Sequence, residues 1–156
     1  MEFNRKLAKH IKEVHFGGNW TSVNLKEVLG DVSWKQATTQ LGDVNTIVAL
    51  TFHIGYFFEV VINALKTHEL VGNDSLSFVH PPINNQEDWE TMRRKLYSNA
   101  DELSDLLHQL SENIMEQVFF NEKYGSYFRN IMGLIEHTHY HMGQIVIIKK
   151  MLKGAA

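Results

Sequence analysis

Apolar residues in this chain recur at intervals of three and four in four separate stretches, and nowhere do they alternate over the length of a strand. That spacing gathers them on one face of an α-helix, whereas a half-buried strand needs alternation. The first stretch, Met1 to about Val14, carries Phe3, Leu7, Ile11 and Val14. The second runs from a cap at Asn45 or Thr46 to about His68, with Ile47, Leu50, Ile54, Phe57, Val61 and Leu65 on its stripe. The third spans about Glu87 to Leu110. The fourth, Tyr124 to about Lys153, carries Tyr127, Ile131, Leu134, His141, Ile145, Ile148 and Leu152. Each apolar face must be buried against another element, so four such helices predict an all-α four-helix bundle.

The breaks between the stripes are equally legible. Gly17-Gly18 ends the first helix. TSVNLKEVL predicts a short helical turn, and Asp31 or Ser33 can cap another short piece through Gln40. Pro81-Pro82 excludes helix between the second and third stripes. The 69–86 connection is long for a compact domain, which predicts a crossover or a functional loop. SENIMEQVFF predicts a short helix or turn. With 156 residues and no repeat, the chain reads as one domain, 1–156.

Composition removes several classes of function. The chain has no cysteine, so thiolate nucleophiles, disulfides, iron–sulfur clusters and Cys-type zinc sites are excluded. Net charge is −3, which argues against a nucleic-acid partner. The N-terminus, MEFNRKLAKHIKEV, has no apolar core of a signal peptide. Ile47 to Leu65 is long and apolar enough to suggest a membrane span, but His53, Glu59 and Asn63 interrupt it. A buried central helix, no membrane and a cytoplasmic location are the expectations.

Nine histidines stand out in a chain of this length. His137 and His141 in EHTHYHMGQI are four apart, so their directions differ by only about 40° around a helix. His141 falls on the apolar stripe. His139 points about 160° away from it. His53 lies between Leu50 and Phe57 on the core face of the other strongly apolar helix. Two helices thus each aim imidazole at the interior. One reading is a three-histidine metal site with an open position, suited to zinc, nickel or iron. The other is core histidines bonded to backbone or tyrosine groups, since a buried imidazole needs a partner. The residues alone leave both open. His10, His15, His68, His80 and His108 lie near helix ends, in loops or on mixed faces, and go with the second reading. No HExxH, GxSxG or P-loop occurs. No Asp or Glu shares a helical face with all three histidines.

NTIVALTFHIGYF and IEHTHYHMGQI, together with HFGGNWTSVNLKEVL and YGSYFRNIMGLIEHTHYHMGQI, resemble the DinB-like (DinB/YfiT) superfamily, especially a bacterial branch of it. The resemblance covers nearly the whole chain. It implies a four-helix bundle, metal ligands at His53, His137 and His141, and zinc or nickel as the ion. It implies that Gly143 lets a neighbouring helix come close and that Gln144 supports the ligands from behind. Met142 stands where the pattern more often has arginine. The resemblance also implies frequent homodimers and a loose set of activities: thiol-dependent S-transferases and isomerases, with hydrolases proposed. The expected partner is a small molecule such as a low-molecular-weight thiol, with Trp20 and Tyr56 expected to line its pocket. The competing function is a non-catalytic metal-binding or stress-response bundle protein.

Overall fold

The computed structural model describes residues 3–154. Met1, the expected start of the first helix, lies outside the described residues. Helix α1 (Phe3–Phe16) runs two residues past the expected end and stops at Gly17 and Gly18. These two take φ of +112° and +97°, backbone that L side chains rarely adopt. Helix α2 (Leu25–Gly30) starts at Asn24, whose side chain accepts from the Glu27 N–H. Ser33, not Asp31, caps α3 (Trp34–Thr38), in a reciprocal capping box with Gln36. That helix ends before Gln40. Thr39 is extended, and its hydroxyl donates to the Lys35 carbonyl (2.6 Å), competing with helical continuation.

The long helices begin on equally local signals. Thr46 caps α4 (Ile47–Thr67) by accepting from Ala49 N–H, and Asn85 caps α5 (Gln86–Gln109) by accepting from Asp88 N–H. Helix α6 (Tyr127–Gly154) begins three residues later than the apolar spacing predicts. Glu122–Tyr124 forms a single 3-10 turn, and Gly125, at φ +73° and ψ −151°, breaks it from α6. The described residues contain no strand, only an isolated antiparallel bridge between Val118 and Ser126.

Side-chain pairs give the direction of each helix. Gly55 and Glu59 of α4 meet Asn99, and Lys66 meets Glu102, so α4 and α5 run parallel. Asn4 of α1 reaches the Leu107 and Leu110 carbonyls, and Lys12 pairs with Asp101, so α1 is antiparallel to α5. His10 lies near His139 and Phe3 near Phe128, so α1 and α6 run parallel. The bundle is therefore up, down, down, up, with α1 packed on α5 and α6, and α4 packed on the same two. Because α4 and α5 are parallel neighbours, residues 68–85 must run back along the bundle. The long loop is the expected crossover.

Helices α2 and α3 fill the diagonal passage from α1 to α4. The carbonyls at and just past the end of α2 are met from two sides: Lys149 reaches the Val28 carbonyl (2.6 Å), Arg93 that of Leu29 (3.0 Å), and the Trp89 indole that of Val32 (2.8 Å). Lys149 and Lys153 also pair with Asp31. Ile47–Thr67 is the one described helix long and apolar enough to cross a membrane, yet 61% of its apolar window is buried inside the bundle. Its fully buried face includes Ile47, Ile54 and Phe58. Phe57, expected on that face, is only half-buried.

His15 is a core histidine. It is 1% exposed, donates from Nδ1 to the Ile11 carbonyl (2.8 Å), and packs edge-on to Phe58. Burial drives its pKa down to about 4, with His139 adding to the shift; the Ile11 carbonyl and Asp101 oppose it. A lowered folded pKa means that below pH about 6.5 the unfolded chain takes a proton the folded chain refuses. His15 therefore contributes full stability above pH 6.5. That contribution falls as pH drops toward 4 and changes little below it. The loss should be on the order of 3 kcal/mol. Urea unfolding at pH 7 and pH 4.5 checks this. The parent should lose clearly more than His15→Leu, and equal losses would reject the account.

Candidate metal centre

His53 projects from α4, and His137 and His141 from α6, the antiparallel neighbour. The helical period puts the last two on one face, and antiparallel packing brings His53 level with them. His53 Nε2 lies 3.0 Å from His137 Nε2, which lies 3.0 Å from His141 Nε2. The three candidate donor atoms all fall within 4.8 Å of one another. His53 and His141 are 8% and 7% exposed, and His137 is half-buried on the more open side.

Proton counting shows what this triangle suits. His141 Nδ1 donates to Gln144 Oε1 (2.7 Å), which leaves its Nε2 as a lone pair. The Nδ1 atoms of His53 and His137 are buried without a hydrogen-bond partner. The Ser77 backbone carbonyl is close to the His53 ring but outside hydrogen-bonding geometry. A single proton on His137 Nε2 can serve one neighbour, and the other nitrogen is left with its lone pair facing no donor of its own. A cation among the three would accept all of them. Zinc–imidazole bonds of about 2.0–2.1 Å in a tetrahedron put nitrogens about 3.3 Å apart, close to the two 3.0 Å spacings about His137, with the remaining pair inside 4.8 Å.

The electrostatics fit neutral ligands. Burial, then His141 and His53, hold the His137 pKa down at about 4. Burial and His141 also lower that of His53, against the Ser77 backbone and Asp74. Both rings are therefore unprotonated at pH 7, as metal binding requires.

Aromatic rings surround the cluster. Phe78, from the crossover, stacks flat on His53 (centroids 3.9 Å apart, planes 9° apart). Phe57 meets His53 and His137 edge-on. Tyr140 does the same for His141. A cavity of about 420 Å³ opens beside His137, its wall including Phe57, Asp74, Tyr124 and Arg129.

The structure sorts the other expected site residues. Gln144 Oε1 accepts from His141 Nδ1. Tyr56 does not reach the histidines. Its hydroxyl ties down the crossover through the Asn73 backbone, and its ring lines a separate cavity between α4, α5 and Pro81–Ile83. Trp20 is a correction: it is 96% exposed on the loop that leaves α1, so it cannot wall a pocket. At Gly143 a Cβ would meet nothing within 4 Å inside the chain, and the residue lies exposed on α6 between Tyr140 and Ile147. At Gly55 a Cβ would make only ordinary van der Waals contact, 3.7 Å from Leu96. His139 turns away toward α1, its Nδ1 bonded to Ile135. Asp74 and Phe78 were beyond helical-face reasoning, since both arrive on the crossover. Their only sequence signal was that loop's excess length.

The fold and site define a class: a helical bundle whose three converging histidines could bind a metal ion. Among known families, the DinB superfamily matches residues 19–145. The chain belongs to the DinB superfamily. No curated protein and no solved structure matches it.

Proposed function

We propose that this protein is a metal-dependent enzyme of the transferase or hydrolase type, with zinc or nickel held by His53, His137 and His141. The observation that carries the reading is the convergence of three Nε2 atoms beside an open cavity, with His141 oriented from behind by Gln144. A bound divalent ion would supply Lewis acidity and lower the pKa of a water or thiol placed against it.

The chain's own groups supply the rest. Gln144 Oε1 keeps the proton on His141 Nδ1. Phe78 and Phe57 cover His53 and keep bulk water from that side. Asp74 shares the cavity with His137, so its carboxylate can take the proton that an entering water or thiol gives up. A low-molecular-weight thiol suits a chain with no cysteine of its own. The reading places the protein in the cytoplasm, with neither nucleic acid nor membrane as partner.

Untagged protein should carry close to one zinc or nickel per chain, and turn over a small thiol with an electrophile, or a hydrolysable ester, only when loaded. Loading without turnover would leave a non-catalytic metal-binding protein. No loading would end the reading. The homodimer is part of the same proposal. It is supported by exposed Tyr140, Ile147 and Met151 at helical spacing on α6, with Val44 beside the last two. A monomer at all concentrations in sedimentation would reject it.

A further inference from the structure

Arg129 stands apart from the chain's other arginines. Arg93 donates to the Leu29 carbonyl, Arg94 pairs with Glu87, and Arg5 has a partner. Among the described residues, the Arg129 guanidinium has neither an ion pair nor a hydrogen bond, and it lines the same cavity as His137. Its path is prepared. Gly125 takes φ +73°, and a Cβ there would lie 2.9 Å from Arg129 Cδ. Glycine thus leaves the bed in which the arginine stem lies. The neighbouring Asn130 amide is committed to the Tyr124 and Ser126 carbonyls, which leaves the guanidinium as the free cationic donor at this end of the cavity.

The other end differs in character. His137 and Asp74 lie there, and Asp74 is near enough to act on His53. Residues 129 and 137 are eight apart on one helix, a rise of about 12 Å. A cavity with a fixed cation at one end and a ligating cluster at the other selects a bifunctional molecule.

We propose that this cavity takes a small molecule carrying a carboxylate, gripped by Arg129, whose far end reaches the histidine cluster. The inference rests on the metal reading above and names the class of ligand that site accepts. A planar guanidinium with free N–H groups offers the paired donors a carboxylate matches. Asp74 repels the anion from the histidine end, which fixes the orientation.

The test uses cobalt-loaded protein and two probes, 6-mercaptohexanoate and 6-mercaptohexan-1-ol, which share a six-carbon thiol chain and differ in the terminal group, carboxylate against alcohol. Thiolate–cobalt absorption reads binding of both. The carboxylate probe should bind about tenfold tighter or more, the effect expected of a charge-assisted hydrogen-bonded pair. In Arg129→Gln that preference should vanish, while cobalt content and affinity for the alcohol stay as in the parent. Arg129→Lys should recover part of it. Equal affinities in the parent, or a preference that survives Arg129→Gln, would overturn the proposal while leaving the metal reading intact. If cobalt fails to load, the metal reading fails, and the anion site is still decided on metal-free protein. There hexanoate, but not hexan-1-ol, should shift the backbone amide NMR signals of residues 126–133, and Arg129→Gln should abolish those shifts. Absence of such shifts in the parent would overturn it.

Discussion

His137→Ala should lower zinc or nickel affinity by at least about 100-fold, because even losing a residue that merely orients a ligand costs 10–100-fold. His137 is the middle of the triangle, 3.0 Å from each of the other two nitrogens. Removing it leaves His53 and His141 without the ligand that bridges them. His139→Ala is the control. It deletes an imidazole from the same five-residue run, but one that bonds Ile135 and faces α1. Its metal content should match the parent's. Gln144→Ala should fall between, losing about 10–100-fold by freeing the His141 ring. Metal content after dialysis against a chelator reads all three. Equal loss in His137→Ala and His139→Ala would mean a histidine-rich scavenging segment rather than a built site. Acid should strip the ion, since protons compete for the same nitrogens. With His137 held at about 4 and His53 lowered too, part of that competition moves below the usual imidazole range near 6.5.

The second large effect concerns Trp89. Trp89→Ala should cost about 3–5 kcal/mol, the range for deleting a buried tryptophan. Trp89 is fully buried, its indole N–H donates to the Val32 carbonyl, and Arg93 lies over its ring. It therefore joins the start of α5 to the segment after α2, and its loss leaves both a cavity and an orphaned carbonyl. Against a typical total of about 5–15 kcal/mol, that is a large share of the stability. The melting temperature should drop by roughly 6–20 °C for a chain of this size. Trp20→Ala should leave it nearly unchanged, because Trp20 touches mostly solvent. Thermal unfolding followed by circular dichroism compares them. Similar melting for Trp89→Ala and the parent would show that this contact does not hold the crossing segment.

These two tryptophans mark where local reasoning ends. A tryptophan's burial depends on which element lies over it, and nothing within ten residues of Trp20 or Trp89 states that. Gly143 is a similar case: a small residue permits a close approach, but only a neighbour at that height makes one, and within the chain α6 has none there.

What the sequence determined by itself is what depends on short-range geometry. The apolar spacing set four long helices, Thr46 and the glycines at 17 and 18 set ends, and a turn of about 100° per residue put His137 and His141 on one face with His139 opposed. Membership of the DinB superfamily was legible from the same segments. Only the tertiary structure decided what comes from far along the chain. The parallel pairing of α4 and α5 forces the crossover back across the histidines. That path lays Phe78 on His53 and sets Asp74 in a cavity with His137 and Arg129. Helical period fixes the direction of a side chain about its own axis. It says nothing of the loop that packing will draw across that face.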